Sequence, residues 1–148
     1  MSTTTAARTI RLDSTEVETL ILLKHGIFTF GADSRESYER MIDMATRNYT
    51  GDLPNELFAA RGRTRGWQPS PAYIGLGFQL RGEEMSRHIF GTLTSPRTFG
   101  NQGAGSTLYW VDPELGMSFV CLTVRVLEDG DNIERFQRLS DIAVSAAT

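Results

Sequence analysis

Gly100, Gly103 and Gly105, followed by Ser106 and Thr107, bring together residue types that can cradle a phosphate: glycines that admit an anion to the backbone and a terminal hydroxyl. The interval from Gly100 to Gly105 fits G-x-x-x-x-G. Ser106 stands where a phosphate loop needs lysine, so the point charge for the β and γ phosphates is missing. The next segment, STLYWV, has the alternation of a strand, whereas a phosphate loop opens a helix. The residues therefore argue against a nucleotide cofactor.

Other side chains capable of chemistry are scattered. Arg61 to Trp67, RGRTRGW, interleaves arginine with a tryptophan, a pattern that can grip a phosphate backbone and stack on a base. With a formal net charge of −3 and a pI near 5.4, the expectation is instead a solvated loop whose arginines pair with carboxylates, and no nucleic-acid partner. His25, His88 and Cys121 stand apart from one another, which predicts no metal site. Cys121 alternates with Phe119 and Thr123 and is expected to be a buried, inert thiol. Lys24 is the only lysine and Ile21 precedes it by three, so S-x-x-K is absent, and G-x-S-x-G is absent too. Ser106 with His88 as its base remains as a pair that would have to meet in space.

The elements that must position these residues follow from composition and period. A chain of 148 residues, 40% hydrophobic, suits one domain with a core of its own and no disulfide framework. The expected organisation is a frayed segment over residues 1–13, most polar over Met1 to Ala7, then a single lobe over 14–148. Asp13 or Ser14 can cap a first helix over TEVETLILLKHG, with Val17, Leu20, Ile21 and Lys24 on one face and Gly26 as its stop. Asp33 with Glu36 can cap a second, presenting Tyr38, Met41, Ile42 and Ala45, with Asn48 to Gly51 ending it. Residues 51–71 show no period and read as a long structured loop. AYIGLGFQL and HIFGTLT are candidate strands. STLYWV and MSFVCLTV are the clearest strands, joined by the turn Asp112 to Gly116. Asp131 or Asn132 can cap a closing helix whose Ile133, Phe136, Leu139, Ile142 and Ala143 lie across that sheet.

Taken in order, FGNQGAGSTLYWVDPELGMSFVCLT resembles the C-terminal part of serine β-lactamase-like and penicillin-binding-protein-like hydrolases, in the class C β-lactamase and esterase branch. DSRESYERMIDMATRNYTGDLPN and AYIGLGFQL resemble segments that precede it in that family, so the likeness covers most of residues 15–147. The resemblance implies an α+β fold, an antiparallel sheet packed by a C-terminal amphipathic helix and N-terminal helices. It also implies a strand wall of the active site, Lys-Thr-Gly or a variant in the family, here Asn101-Gln102-Gly103. By that likeness Asn101, Gln102, Gly103 and Ala104 are the substrate-binding positions, with the Ala104 backbone N–H as an oxyanion donor. Asn101 puts a neutral amide where the family has a cation, which favours ester or acyl-transfer chemistry over β-lactam hydrolysis.

The family's nucleophile and proton-handling motifs, S-x-x-K and Y-x-N, are not in this chain: none of Tyr38, Tyr49, Tyr73 or Tyr109 has asparagine two residues on. Two readings follow. One is the C-terminal lobe of a serine hydrolase, inactive alone, either a fragment of a longer chain or a subunit whose site on a small ester or amide is completed by an S-x-x-K-bearing chain. The other is a non-catalytic interaction module that homodimerises. No cofactor is expected. No apolar run is long enough to span a bilayer and the N-terminus has no apolar signal core, so the expectation is a cytoplasmic protein with no membrane partner.

Overall fold

The computed structural model describes residues 19–22 and 26–148. Two compact units meet in sequence between Asp43 and Met44. In the first, strands β1 (Thr19–Leu22) and β2 (Gly26–Thr29) pair antiparallel, Leu20 opposite Phe28 and Ile21 opposite Ile27. This corrects the first expected helix. A short run of adjacent apolar residues fits either period, and pairing across the hairpin satisfies the backbone groups of both segments at once. The expected caps Asp13 and Ser14, together with Val17, Lys24, His25 and the segment 1–13 for which fraying was expected, lie outside the described residues.

Helix α1 (Ser34–Thr46) starts as its sequence predicts. Asp33 accepts the Glu36 N–H at 2.8 Å while the Glu36 carboxylate reaches back to the Ala32 N–H at 2.6 Å, so two otherwise orphaned donors are satisfied reciprocally. The Thr29 hydroxyl donates to the Ser37 carbonyl (2.6 Å) and the Ser37 hydroxyl to the Thr29 carbonyl (2.8 Å), which ties β2 to the first turn of α1. Beyond the helix, the Asn48 side chain accepts the Thr50 and Gly51 N–H groups and turns the chain.

The second unit is built on an antiparallel sheet in the order β3 (Gln79–Leu80), β4 (Phe99–Gly103), β5 (Thr107–Asp112), β6 (Met117–Cys121). Helix α3 (Asp129–Ala147) covers one face, and Leu108 and Trp110 pack with its Ile133, Phe136 and Val144 and with Ile89 and Phe90 to form the core. Trp110 Nε1 donates to the Ser140 hydroxyl (3.0 Å), which donates in turn to the Ile89 carbonyl (3.1 Å), so the one polar atom of the buried indole has a partner. Cys121 is half-buried against this core. The α+β class and the β4-turn-β5-turn-β6-helix order are those the resemblance implied.

Three segments depart from expectation. Residues 51–71 contain helix α2 (Glu56–Gly62), started by Asn55, whose side chain accepts the Phe58 N–H at 3.2 Å, and a 3₁₀ turn at Arg63–Arg65. Arg65 pairs with Glu128 (2.5 Å) and Asp131 (3.0 Å), the arginine–carboxylate contact expected of this loop. AYIGLGFQL is strand only at its end. It folds back on itself, with the Leu80 N–H on the Tyr73 carbonyl and the Gly75 N–H on the Phe78 carbonyl, and Gly75 sits so close to the Ala45 carbonyl that a side chain there would overlap it. HIFGTLT is a loop, because side chains supply its backbone partners: Asp141 accepts the Thr92 (2.6 Å) and Leu93 (3.0 Å) N–H groups, and buried Arg81 donates to the Gly91 carbonyl at 3.0 Å.

The closing helix begins before its expected caps, with Glu128 as N-cap and Asn132 already inside. Its buried stripe runs Ile133, Phe136, Ser140 and Val144, while Ile142 is exposed, two residues past Ser140 and on the far side of the turn.

Candidate active-site wall

The β4 register divides the Asn101-Gln102-Gly103 motif between the two faces of the sheet. Gly100 lies opposite Trp110 and Gln102 opposite Leu108, so both belong to the face that α3 covers, and Gln102 Oε1 is buried there without a hydrogen-bond partner. Asn101 lies opposite Tyr109 on the other face, where Tyr109 and Val120 are exposed. A Cβ at Gly100 would overlap the Tyr109 carbonyl and the Trp110 Cα, so this glycine is required by the close approach of β5. Gly105 looks into open space.

The outer edge of β4 is free from Asn101 onward, since β3 pairs only with Phe99 and Gly100. The Asn101 side chain covers part of that edge itself. Its Oδ1 accepts the Gln102 N–H (3.0 Å) and Gln79 Nε2 (3.2 Å), and its Nδ2 donates to the Gly77 carbonyl (3.3 Å). The Gln102 N–H is thus turned away from β5. Ala104 is the first residue of the turn that follows β4. Gly103 and Ala104 are exposed there. Gln79 and Gly77, 22 and 24 residues from Asn101, were not anticipated, and no local pattern marks them.

Ser106 and His88 do not form the pair considered from sequence. Ser106 is fully buried and its hydroxyl accepts the Leu127 N–H at 3.0 Å; His88 Nδ1 accepts the Phe90 N–H at 3.2 Å. Burial, and then the Arg81 charge, push the His88 pKa down to about 3 against a weaker opposing pull from the Leu80 backbone, so the imidazole is neutral. His88 borders a cleft lined also by Asn55, Phe58, Trp67, Ser70 and Arg87. That cleft holds about 30 Å³, room for roughly one water, and none of Asn101 to Ala104 lines it.

Asp112 braces the wall from behind. Its fully buried carboxylate accepts the Ser95 N–H and hydroxyl (2.7 Å each), the Thr98 hydroxyl (2.9 Å) and the Glu114 and Leu115 N–H groups (3.0 Å each). Burial alone would raise its pKa; the hydrogen bonds from Ser95, Leu115 and Thr98 outweigh it and hold the carboxyl below its ordinary range. The segment entering β4 and the turn leaving β5 are therefore fastened to one anion.

A β-lactamase of known structure from Mycobacterium bovis matches this arrangement with a TM-score of 0.56 and 26% identity, over 77% of this chain and 37% of that one. The chain carries part of a serine β-lactamase-like fold. Sequence relatives of this β-lactamase-like chain include proteins provisionally named D-alanyl-D-alanine carboxypeptidase from Salmonella gallinarum and Salmonella newport, each 39% identical over 54 residues. The match takes in 36% of this chain and 12% of either relative, so the β-lactamase-like chain spans a small part of their length. No family model matches it. Among the described residues of this β-lactamase-like chain, no cluster of metal-ligating side chains occurs and no helix is long and apolar enough to cross a membrane.

Proposed function

We propose that this chain supplies one wall of an acyl-transfer cleft, in the manner of the C-terminal lobe of a serine β-lactamase-like esterase, and that its nucleophile comes from an S-x-x-K-bearing polypeptide. The observation that carries this reading is the open edge of β4 beyond Gly100, with Asn101 on the face opposite the helix and Ala104 exposed at the end of the strand. An ester or amide carbonyl laid along that edge would meet Ala104 as an oxyanion donor and Asn101 as a neutral hydrogen-bonding partner. A neutral amide gives a substrate carboxylate no counter-charge, which favours esters over carboxylate-bearing β-lactams. We place the assembly in the cytoplasm.

The test is intact-mass measurement after incubation with a fluorophosphonate, on the 148-residue chain alone and together with a nucleophile-bearing lobe of the same fold. The expected result is no adduct on this chain in either case, and labelling of the partner serine that this chain accelerates. A stoichiometric adduct on a serine of this chain overturns the reading.

A second reading is supported by one feature. Val120, Leu122, Val124 and Val126 alternate along the last strand and the extended chain beyond it, and all are more than 60% exposed. Such a ridge favours coverage by another polypeptide, and a homodimer without catalytic function would supply one. A discrete dimer by light scattering, with no effect on any partner's acylation, would support this reading over the first.

A further inference from the structure

Ser106 holds a left-handed backbone, φ 59°, in the turn that follows the Asn101-Gln102-Gly103 strand. A side chain in that conformation is strained and persists only where its surroundings enforce it. Three groups do so, from two segments far along the chain. The Ser106 carbonyl accepts Arg135 Nη2 (2.8 Å) and the Thr123 hydroxyl, and the Ser106 hydroxyl accepts the Leu127 N–H (3.0 Å). Within the turn, the Ser106 N–H donates to the Gly103 carbonyl at 3.1 Å.

Arg135 is the centre of this arrangement. Its guanidinium packs over the Phe136 ring at 4.6 Å and also donates to Thr123 and Asn132 at 3.3 Å each, so three acceptors converge on one nitrogen. Among the described residues no carboxylate is paired with it, and its Nε is buried without a partner. A half-buried cation with one buried, unpartnered N–H is costly to keep, and its shortest hydrogen bond goes to a carbonyl two residues from Ala104.

We propose that Arg135 is a positioning residue for the candidate site: by clamping the Ser106 carbonyl from α3, behind the sheet, it holds the Gly103–Ser106 turn, and with it the Ala104 backbone, in one conformation at the end of β4. The significance for acyl transfer rests on the reading of that edge as a substrate wall, but the clamp itself is measurable without a substrate. A donor that must meet a developing oxyanion gains from being fixed in advance, and this clamp fixes it from the face no substrate touches.

The experiment is ¹⁵N relaxation and amide exchange on the 148-residue chain with Arg135→Met and Arg135→Lys. In Arg135→Met, amide exchange at Ser106 and Leu127 should rise about tenfold or more, as expected for losing a hydrogen bond from a charged donor. Order parameters at Ala104 and Gly105 should fall while Val111 and Phe119 keep theirs. Arg135→Lys, which can still donate to the carbonyl, should recover most of both effects. An unchanged turn, or equal changes at Ala104 and Val111, overturns the clamp. If Arg135→Met does not fold, Thr123→Val removes another donor to the same carbonyl and must loosen the same amides. The partner-acylation test above bears on the substrate wall alone, so failure of one idea is distinguishable from failure of the other.

Discussion

Ser95 gives both its N–H and its hydroxyl to the Asp112 carboxylate, each at 2.7 Å, and so joins the segment before β4 to the turn after β5 through one buried anion. Asp112→Ala would leave the buried Thr98 donor and the half-buried Ser95 donors unpaired, at a cost of about 3 kcal/mol in urea denaturation. Asp112→Asn keeps the shape and loses the charge, and should cost less.

The same carboxylate sets an acid limit. Its folded pKa lies below the unfolded value of about 3.9, so its stabilisation is complete above about pH 4 and is lost as the pH falls through the folded value. Urea midpoints at pH 7, 4 and 3 should converge for the wild type and Asp112→Asn as the pH drops. A constant gap between them would contradict the assignment.

His88 acts at milder acidity. Its folded pKa of about 3 lies below the unfolded value of about 6.5, so between these values the unfolded chain binds the extra proton and the native state weakens as the pH falls. Above about pH 6.5 this effect is absent. Proton resonances of the His88 ring should keep their neutral positions down to about pH 4, and His88→Gln should flatten the loss of stability between pH 6.5 and 4.

Gly100 in β4 and Gly105 in the turn after it should respond oppositely. Gly100→Ala drives a methyl into the β5 backbone and should destabilise by about 1–3 kcal/mol. Gly105→Ala meets nothing and should leave the thermal midpoint unchanged or raise it by restricting the unfolded chain. Equal losses at both positions would mean that the turn, not the strand contact, requires glycine.

Ser140 links the Trp110 indole to the Ile89 carbonyl. Ser140→Ala strips both of their partner inside the core and should cost about 1–3 kcal/mol, readable as a lowered urea midpoint.

Much of this molecule was legible in its residues because the relevant forces act locally. The capping pair Asp33 and Glu36, the Asp112 turn and the strands on either side of it depend on neighbours within a few residues, and the structure places them as the sequence predicts. The order of glycine turn, strand, Asp-Pro turn, strand and helix was enough to reach the β-lactamase-like fold. Residues 19–29 show the limit: an apolar run without a clear period takes its form from the strand it pairs with. HIFGTLT, likewise, became a loop because Asp141 and Arg81, distant in sequence, satisfy its backbone.

Sequence by itself determined the α+β class, the position of the Asn101-Gln102-Gly103 strand and the absence of S-x-x-K from this chain, all properties of residue type and order. Only the tertiary structure decided which face each of those residues occupies, that Ser106 is a buried anchor and not a nucleophile, and that Arg135 reaches its carbonyl from 29 residues away. The reason is physical: strand register, burial and long-range hydrogen bonds depend on which segments meet, and one strand's alternation says which residues share a face but not which face is covered.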